Sequence, residues 1–222
     1  MNLTEKEIIY PTDERFDLIK ELCHLSKNLY NAALYDVRQY YFETKLYRSW
    51  KSQRPIFTKS NNPDYYALQS HLAGEIFKQV GEQFISFFNN KSNKKKRIPK
   101  YKDKNGYNIV AFPKITISRK VEFDEDKQFY TYTLCKRSYN LKIQSTKPNV
   151  KMVKFVYDEV NDLIKCFKIY EVEQPKLKKD NSRYFSIDPG LNNIVSIYNN
   201  IGIRPLLYNG RPIKSINQYY NK

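Results

Sequence analysis

Residues 150–173 read VKMVKFVYDEVNDLIKCFKIYEVE, two β-branched and aromatic runs on either side of a turn-like DEVND. Runs of this kind fit strands that rest one side on a core. Lysines alternate with apolar residues along KMVKFVYD and KCFKIYEVE, which predicts a sheet with one basic face and one buried face. Upstream, from Ile109, the period-two pattern continues through ITIS, FYTYTL and NLKIQ, separated by FDEDKQ and STKPN. Five antiparallel strands at this turn spacing predict a small β-barrel. Downstream, QPKLKKDNSR reads as a linker that closes the unit near residue 180.

The N-terminal half has a different period. EIIYP, closed by Pro11, reads as one strand over residues 1–11. From Thr12, helical spacing places Phe16, Ile19, Leu22, Cys23, Leu25, Leu29, Ala32, Ala33 and Tyr40 on one face, with Thr12 or Asp13 as the expected cap. A polar break, SWKSQRPIFTKSNNPD, precedes a second helical pattern through Tyr66, Leu68, Leu72, Ile76, Phe77, Val80, Phe84, Phe87 and Phe88. Residues 12–90 are thus expected to form an antiparallel helix pair. Its two histidines, His24 and His71, read as core-edge or surface residues.

Composition bears on partners. The chain has 39 Lys and Arg against 23 Asp and Glu, a net charge of +16, with 20 Tyr and 13 Phe. Phosphates take Lys and Arg while base faces stack on aromatic rings, so nucleic acid is the expected polyanion. The densest basic segment, NNKSNKKKRIPKYKDKNGYN, carries Lys94, Lys95, Lys96, Arg97, Lys100 and Lys102, the residues expected to meet phosphate. Its Pro99 and Gly106 predict an irregular connector opening the 91–180 region. No apolar run approaches the ~18 residues of a membrane span, and MNLTEKEII lacks a charged lead into an apolar segment, so a cytoplasmic protein with no membrane partner is expected. Three cysteines, Cys23, Cys135 and Cys166, are too few for a four-cysteine zinc site.

Near the C-terminus, YFSIDPGLNNIVSIYNN places Asp188 at the end of an apolar run before a Pro-Gly turn. YFSID reads as a strand, PGLNN as a tight turn in which Gly190 supplies backbone freedom, IVSIYNN and RPLLYNG as two more strands, and KSINQYYNK as the start of a helix. A carboxylate on a rigid strand is a hard oxygen ligand for divalent metals in phosphodiester cleavage, although one carboxylate does not make a two-metal site.

The strings SIDPGLNN, VSIYNN and PLLYNGRPIKSINQYYNK resemble the TnpB (OrfB) proteins of insertion sequences, relatives of the type V CRISPR effectors. LCHLSKNLYNAALYDVRQYY and RIPKYKDKNGYNIVAFP resemble that family's N-terminal half, so the resemblance spans essentially the whole chain. It implies an α+β protein: a wedge-like antiparallel β-barrel interrupted by a helical recognition insert, then the first strands of an RNase H-like (RuvC) nuclease domain over 181–222. It also implies an RNA-guided, magnesium-dependent DNA endonuclease whose partners are guide RNA and DNA.

Asp188 matches the family's first RuvC carboxylate, a catalytic and metal-binding position. Pro189 departs from the aliphatic residue that often follows it. The sequence runs to Lys222, 34 residues past Asp188. The family's second carboxylate, a Glu, its third, an Asp, and its zinc motif lie further along. The resemblance therefore implies a truncated member that binds nucleic acid without cutting alone, with the remaining RuvC portion on another chain as a partner. The alternative is a noncatalytic, repressor-like RNA- and DNA-binding derivative or a decayed fragment.

Overall fold

The computed structural model describes residues 1–89, 97–173, 180–190 and 192–220. The chain divides into Met1–Glu173 and Gln174–Lys222. The first unit contains, in order, β1 (Asn2–Ile9), α1 (Phe16–Thr44), α2 (Trp50–Lys59), α3 (Pro63–Tyr66), α4 (Ser70–Asn89), β2 (Val110–Pro113), β3 (Glu122–Asp124), β4 (Phe129–Leu134), β5 (Leu141–Ser145), β6 (Val150–Asp158) and β7 (Leu163–Glu171). The second contains β8 (Phe185–Pro189), β9 (Asn193–Asn199), β10 (Leu206–Asn209) and α5 (Arg211–Tyr220).

The 150–173 hairpin forms the centre of an antiparallel sheet ordered β1-β7-β6-β2, and a second antiparallel sheet runs β3-β4-β5. The fold is thus α+β, but among the described residues no ladder closes into a barrel. Two local causes are visible. Pro113 ends β2 without an N–H to extend the ladder, and the chain enters a 3-10 turn at Lys114–Thr116, where the sequence pattern predicts ITIS as a strand. Only Ile117 returns to bridge Leu134. Between β1 and β5 the link is made by side chains: Glu5 accepts hydrogen bonds from the Ser145 hydroxyl and from Thr146. Arg15 donates to the Lys142 carbonyl.

The hairpin also corrects the expected division of charge. Val153, Phe155, Ile164 and Cys166 are buried, as the alternation predicts. Lys165 and Lys168, however, are three residues apart, and a strand places such a pair on opposite faces. Lys168 therefore lies on the inner face, 4% exposed. Its Nζ is 2.7 Å from Glu7 Oε2, and Glu7 also receives Arg15 at 2.9 Å.

Helix α1 begins at Phe16 with Arg15 at its N-cap and no side-chain cap, not at Thr12 or Asp13. Asp13 instead binds the Arg15 backbone N–H and guanidinium. Burying Phe16 contributes about 2 kcal/mol, more than the ~1 kcal/mol of a cap, so packing sets the start. The polar break is itself helical: α2 is anchored by buried Phe57 against Phe77 and by Gln53 donating to the Ala33 carbonyl. Gly81 of α4 lets this segment approach, since a Cβ there would lie 3.0 Å from Trp50 Cβ. No helix among the described residues is long and apolar enough to cross a membrane.

The second unit is an antiparallel sheet ordered β10-β9-β8 followed by α5, with its elements where the sequence pattern predicts them. Its Phe185, Ile187, Leu206, Leu207, Ile213 and Ile216 are all exposed.

Candidate nucleic-acid interface

The basic connector is irregular but tied down. Its described part, residues 97–108, runs antiparallel to α1, whose side chains hold its backbone. Arg38 donates to the Pro99 carbonyl at 3.3 Å and Lys27 to that of Lys104. Asn31 grips Lys102 twice, donating to its carbonyl and accepting from its N–H, both at 2.9 Å. The Asn108 N–H donates to the Cys23 carbonyl at 3.0 Å. Residues 23 to 38 cover about 22 Å of helix at 1.5 Å per residue. The facing strap would reach ~30 Å if fully extended; the slack is taken up by a turn in which Gly106 N–H donates to the Asp103 carbonyl.

Several cations of this unit lie over aromatic rings, and Arg38 does so at the strap. The Arg38 guanidinium lies 4.7 Å from the Tyr101 ring and 5.6 Å from Phe42, and both rings are exposed. Arg48 sits 4.3 Å over Tyr40 but is also paired with Asp36 at 2.6 Å. Lys51 lies 5.9 Å from the Trp50 ring. Arg38 is half-buried, with Nε out of solvent and one Nη on the Pro99 carbonyl, so it offers part of its charge to phosphate while the two exposed rings offer stacking surface to bases.

The expected phosphate contacts divide. Lys94, Lys95 and Lys96 lie outside the described residues. Arg97 and Lys100 are exposed on the strap. Lys102 is partly buried beside Tyr30, 5.2 Å from its ring, and burial holds its amine below the ordinary lysine range. That position suits packing better than phosphate binding. Sequence reading singled out Tyr101 among the basic residues but missed its partner Arg38, and missed Arg48 over Tyr40; the available signal was YDVRQYYF, an arginine among aromatics inside a helix.

Asp188 lies on β8 opposite Ser196 of β9. It shares a sheet face with Ser186, while Phe185, Ile187 and Pro189 point the other way. Pro189 is accommodated as the last residue of β8, opposite Val195, and the next N–H, from Gly190, donates to the Ile194 carbonyl at 3.3 Å. Gly190 is required by close approach: a Cβ would lie 2.9 Å from the Asn193 carbonyl oxygen. Among the described residues no three His, Cys, Asp or Glu side chains cluster to hold a metal. One carboxylate flanked by serines does not fit a two-metal centre.

No protein-family model matches the chain, and no curated protein matches it. Among solved structures it is similar to the cryo-EM structure of the Cas12f1–sgRNA–target DNA complex, with a TM-score of 0.40 and 11% identity over 98% of this chain and 59% of that one. It is also similar to the cryo-EM structure of a CRISPR-Cas12f ternary complex, with a TM-score of 0.40 and 13% identity over 91% of this chain and 50% of that one. The chain spans between half and three-fifths of the length of these chains.

Proposed function

We propose that this chain is a nucleic-acid-binding protein of the RNA-guided nuclease kind, related to the TnpB proteins and type V effectors, with guide RNA and DNA as its partners. The observation that carries the reading is Arg38 held between exposed Phe42 and Tyr101, beside a strap that presents Arg97 and Lys100. The C-terminal strings that resemble TnpB proteins support the more specific assignment. The reading is one of binding without cutting by this chain, since among the described residues Asp188 stands without the further carboxylates that a two-metal centre needs.

The test is to purify the chain from cells, sequence the RNA that accompanies it and measure its affinity for the recovered RNA. Arg38→Ala with Tyr101→Ala should weaken binding about tenfold or more, as loss of base stacking does. Arg38→Lys should fall between, since charge persists but the planar fork is lost. Protein that carries no RNA, or recovered RNA that the double variant binds as tightly as the parent, would overturn the reading. Magnesium-dependent DNA cleavage lost in Asp188→Ala would overturn its noncatalytic part.

A further inference from the structure

We infer that the first unit carries a second groove, around Lys114–Ser118, which holds single-stranded nucleic acid bent over Ile115. Two clefts of about 490 and 340 Å³ share Ile115, Ile117 and Ser118 in their walls, so one segment of chain separates them. Ile115 stands on that divide 69% exposed. An isoleucine raised between two clefts has the form of an apolar wedge, the kind of side chain that enters between bases and splays them.

The walls on either side supply what a strand needs. On the β3–β4 side, Arg119 is exposed, and Phe123 and Tyr130 form a cross-strand aromatic pair with centroids 4.6 Å apart. Tyr130 lines this cleft, and Phe123 is also exposed. On the other side Lys136 and Arg137 are exposed and line the second cleft with His71. Among the described residues no carboxylate lines either cleft, whereas other concavities of this unit contain Glu75 and Glu82 or Glu7, Asp13 and Glu14. Among the described residues, Arg119, Lys136 and Arg137 are not in ion pairs.

Uncompensated cations on both sides, an aromatic platform on one side and an apolar ridge between them match a single strand: phosphates at the two ends and a base step opened over the ridge. A duplex keeps its base faces covered, so it leaves the aromatic platform unused and must first be kinked and unstacked, at a cost in free energy, to engage the ridge. The inference rests on the chain binding nucleic acid, as proposed above, but places a second contact on residues that the first interface does not use.

The experiment is fluorescence anisotropy of the full chain with a labelled oligothymidine of roughly ten nucleotides, across a salt series, with the matching oligothymidine–oligoadenosine duplex as competitor. Arg119→Ala, Lys136→Ala and Arg137→Ala together should lower the slope of log affinity against log salt by about 2, from ~0.7 per phosphate released. Ile115→Ser should weaken binding several-fold at an unchanged slope. The duplex should compete poorly.

All four side chains are exposed, so the variants should melt with the parent, and an unshifted melting temperature checks this. A triple variant with the parent's slope, or a duplex that competes equally while Ile115→Ser has no effect, would overturn the groove. If Arg38→Ala with Tyr101→Ala still weakens RNA binding, the function proposed above survives that result. A chain that binds no nucleic acid at all overturns both.

Discussion

Replacing Lys168 tests the inner face of the first sheet most directly. Its side chain is 4% exposed and its Nζ meets Glu7 at 2.7 Å, while Glu7 is also held by Arg15. Removing one partner of a buried pair costs about 3–5 kcal/mol. The remaining Arg15 contact and the partial exposure of Glu7 place the charge component of this case below that range, at about 2–3 kcal/mol. Lys168→Met isolates that component because it keeps most of the stem. Lys168→Ala also loses buried methylenes at about 0.8 kcal/mol each, for a combined ~4–5 kcal/mol. At about 2–4 °C per kcal/mol for a unit of this size, Lys168→Met should lower the melting temperature by about 5–10 °C and Lys168→Ala by about 10–20 °C. The assay is thermal unfolding followed by circular dichroism, completed by a double-mutant cycle with Glu7→Gln. The Lys168→Met, Glu7→Gln pair should cost about 2 kcal/mol less than the two single changes together. A coupling near zero, or a Lys168→Met variant that melts with the parent, would refute the claim that this ion pair holds β1 to β7.

Two further outcomes follow from the titrating groups. Glu5 feels burial, which pushes its carboxyl up, but the Ser145 hydroxyl, Lys168 and Thr146 together hold it below its ordinary value, and Asp13 is held low by hydrogen bonds from Arg15. Depressed carboxylates stabilise the fold above their unfolded pKa, and the stability is lost as pH falls through the folded pKa. The melting temperature should therefore decline below about pH 4, and the decline should be shallower in Lys168→Met; a flat profile into that range would contradict the assignment. Burial pushes the thiols of Cys23 and Cys166 up to about 12 and that of Cys135 up to about 11, so a thiol reagent near pH 8 should react with the native protein far more slowly than with the denatured chain.

Local pattern carried most of the elements. Period-two alternation marked the 150–173 hairpin, and three-four spacing marked α1 and α4, because each pattern describes which residues share a face. Helix α2 escaped because its stretch is polar and contains Pro55, and its place depends on Phe57 reaching Phe77 across another helix. The strap along α1 was also illegible, since Asn31 and Lys102 are 71 residues apart and their bonds use backbone groups that any residue carries.

The sequence by itself determined the excess of cations and aromatics, the two periodicities, and the strand that carries Asp188. These are properties of composition and of neighbours within a few residues. Only the tertiary structure decided that the sheets stay separate and that Lys168 faces inward. It alone also decided that Arg38 stands between Phe42 and Tyr101, and that Ile115 rises between two cationic clefts. Each of these depends on where distant segments meet, which is fixed by burial and side-chain hydrogen bonding across the whole unit and leaves no periodic trace in the chain.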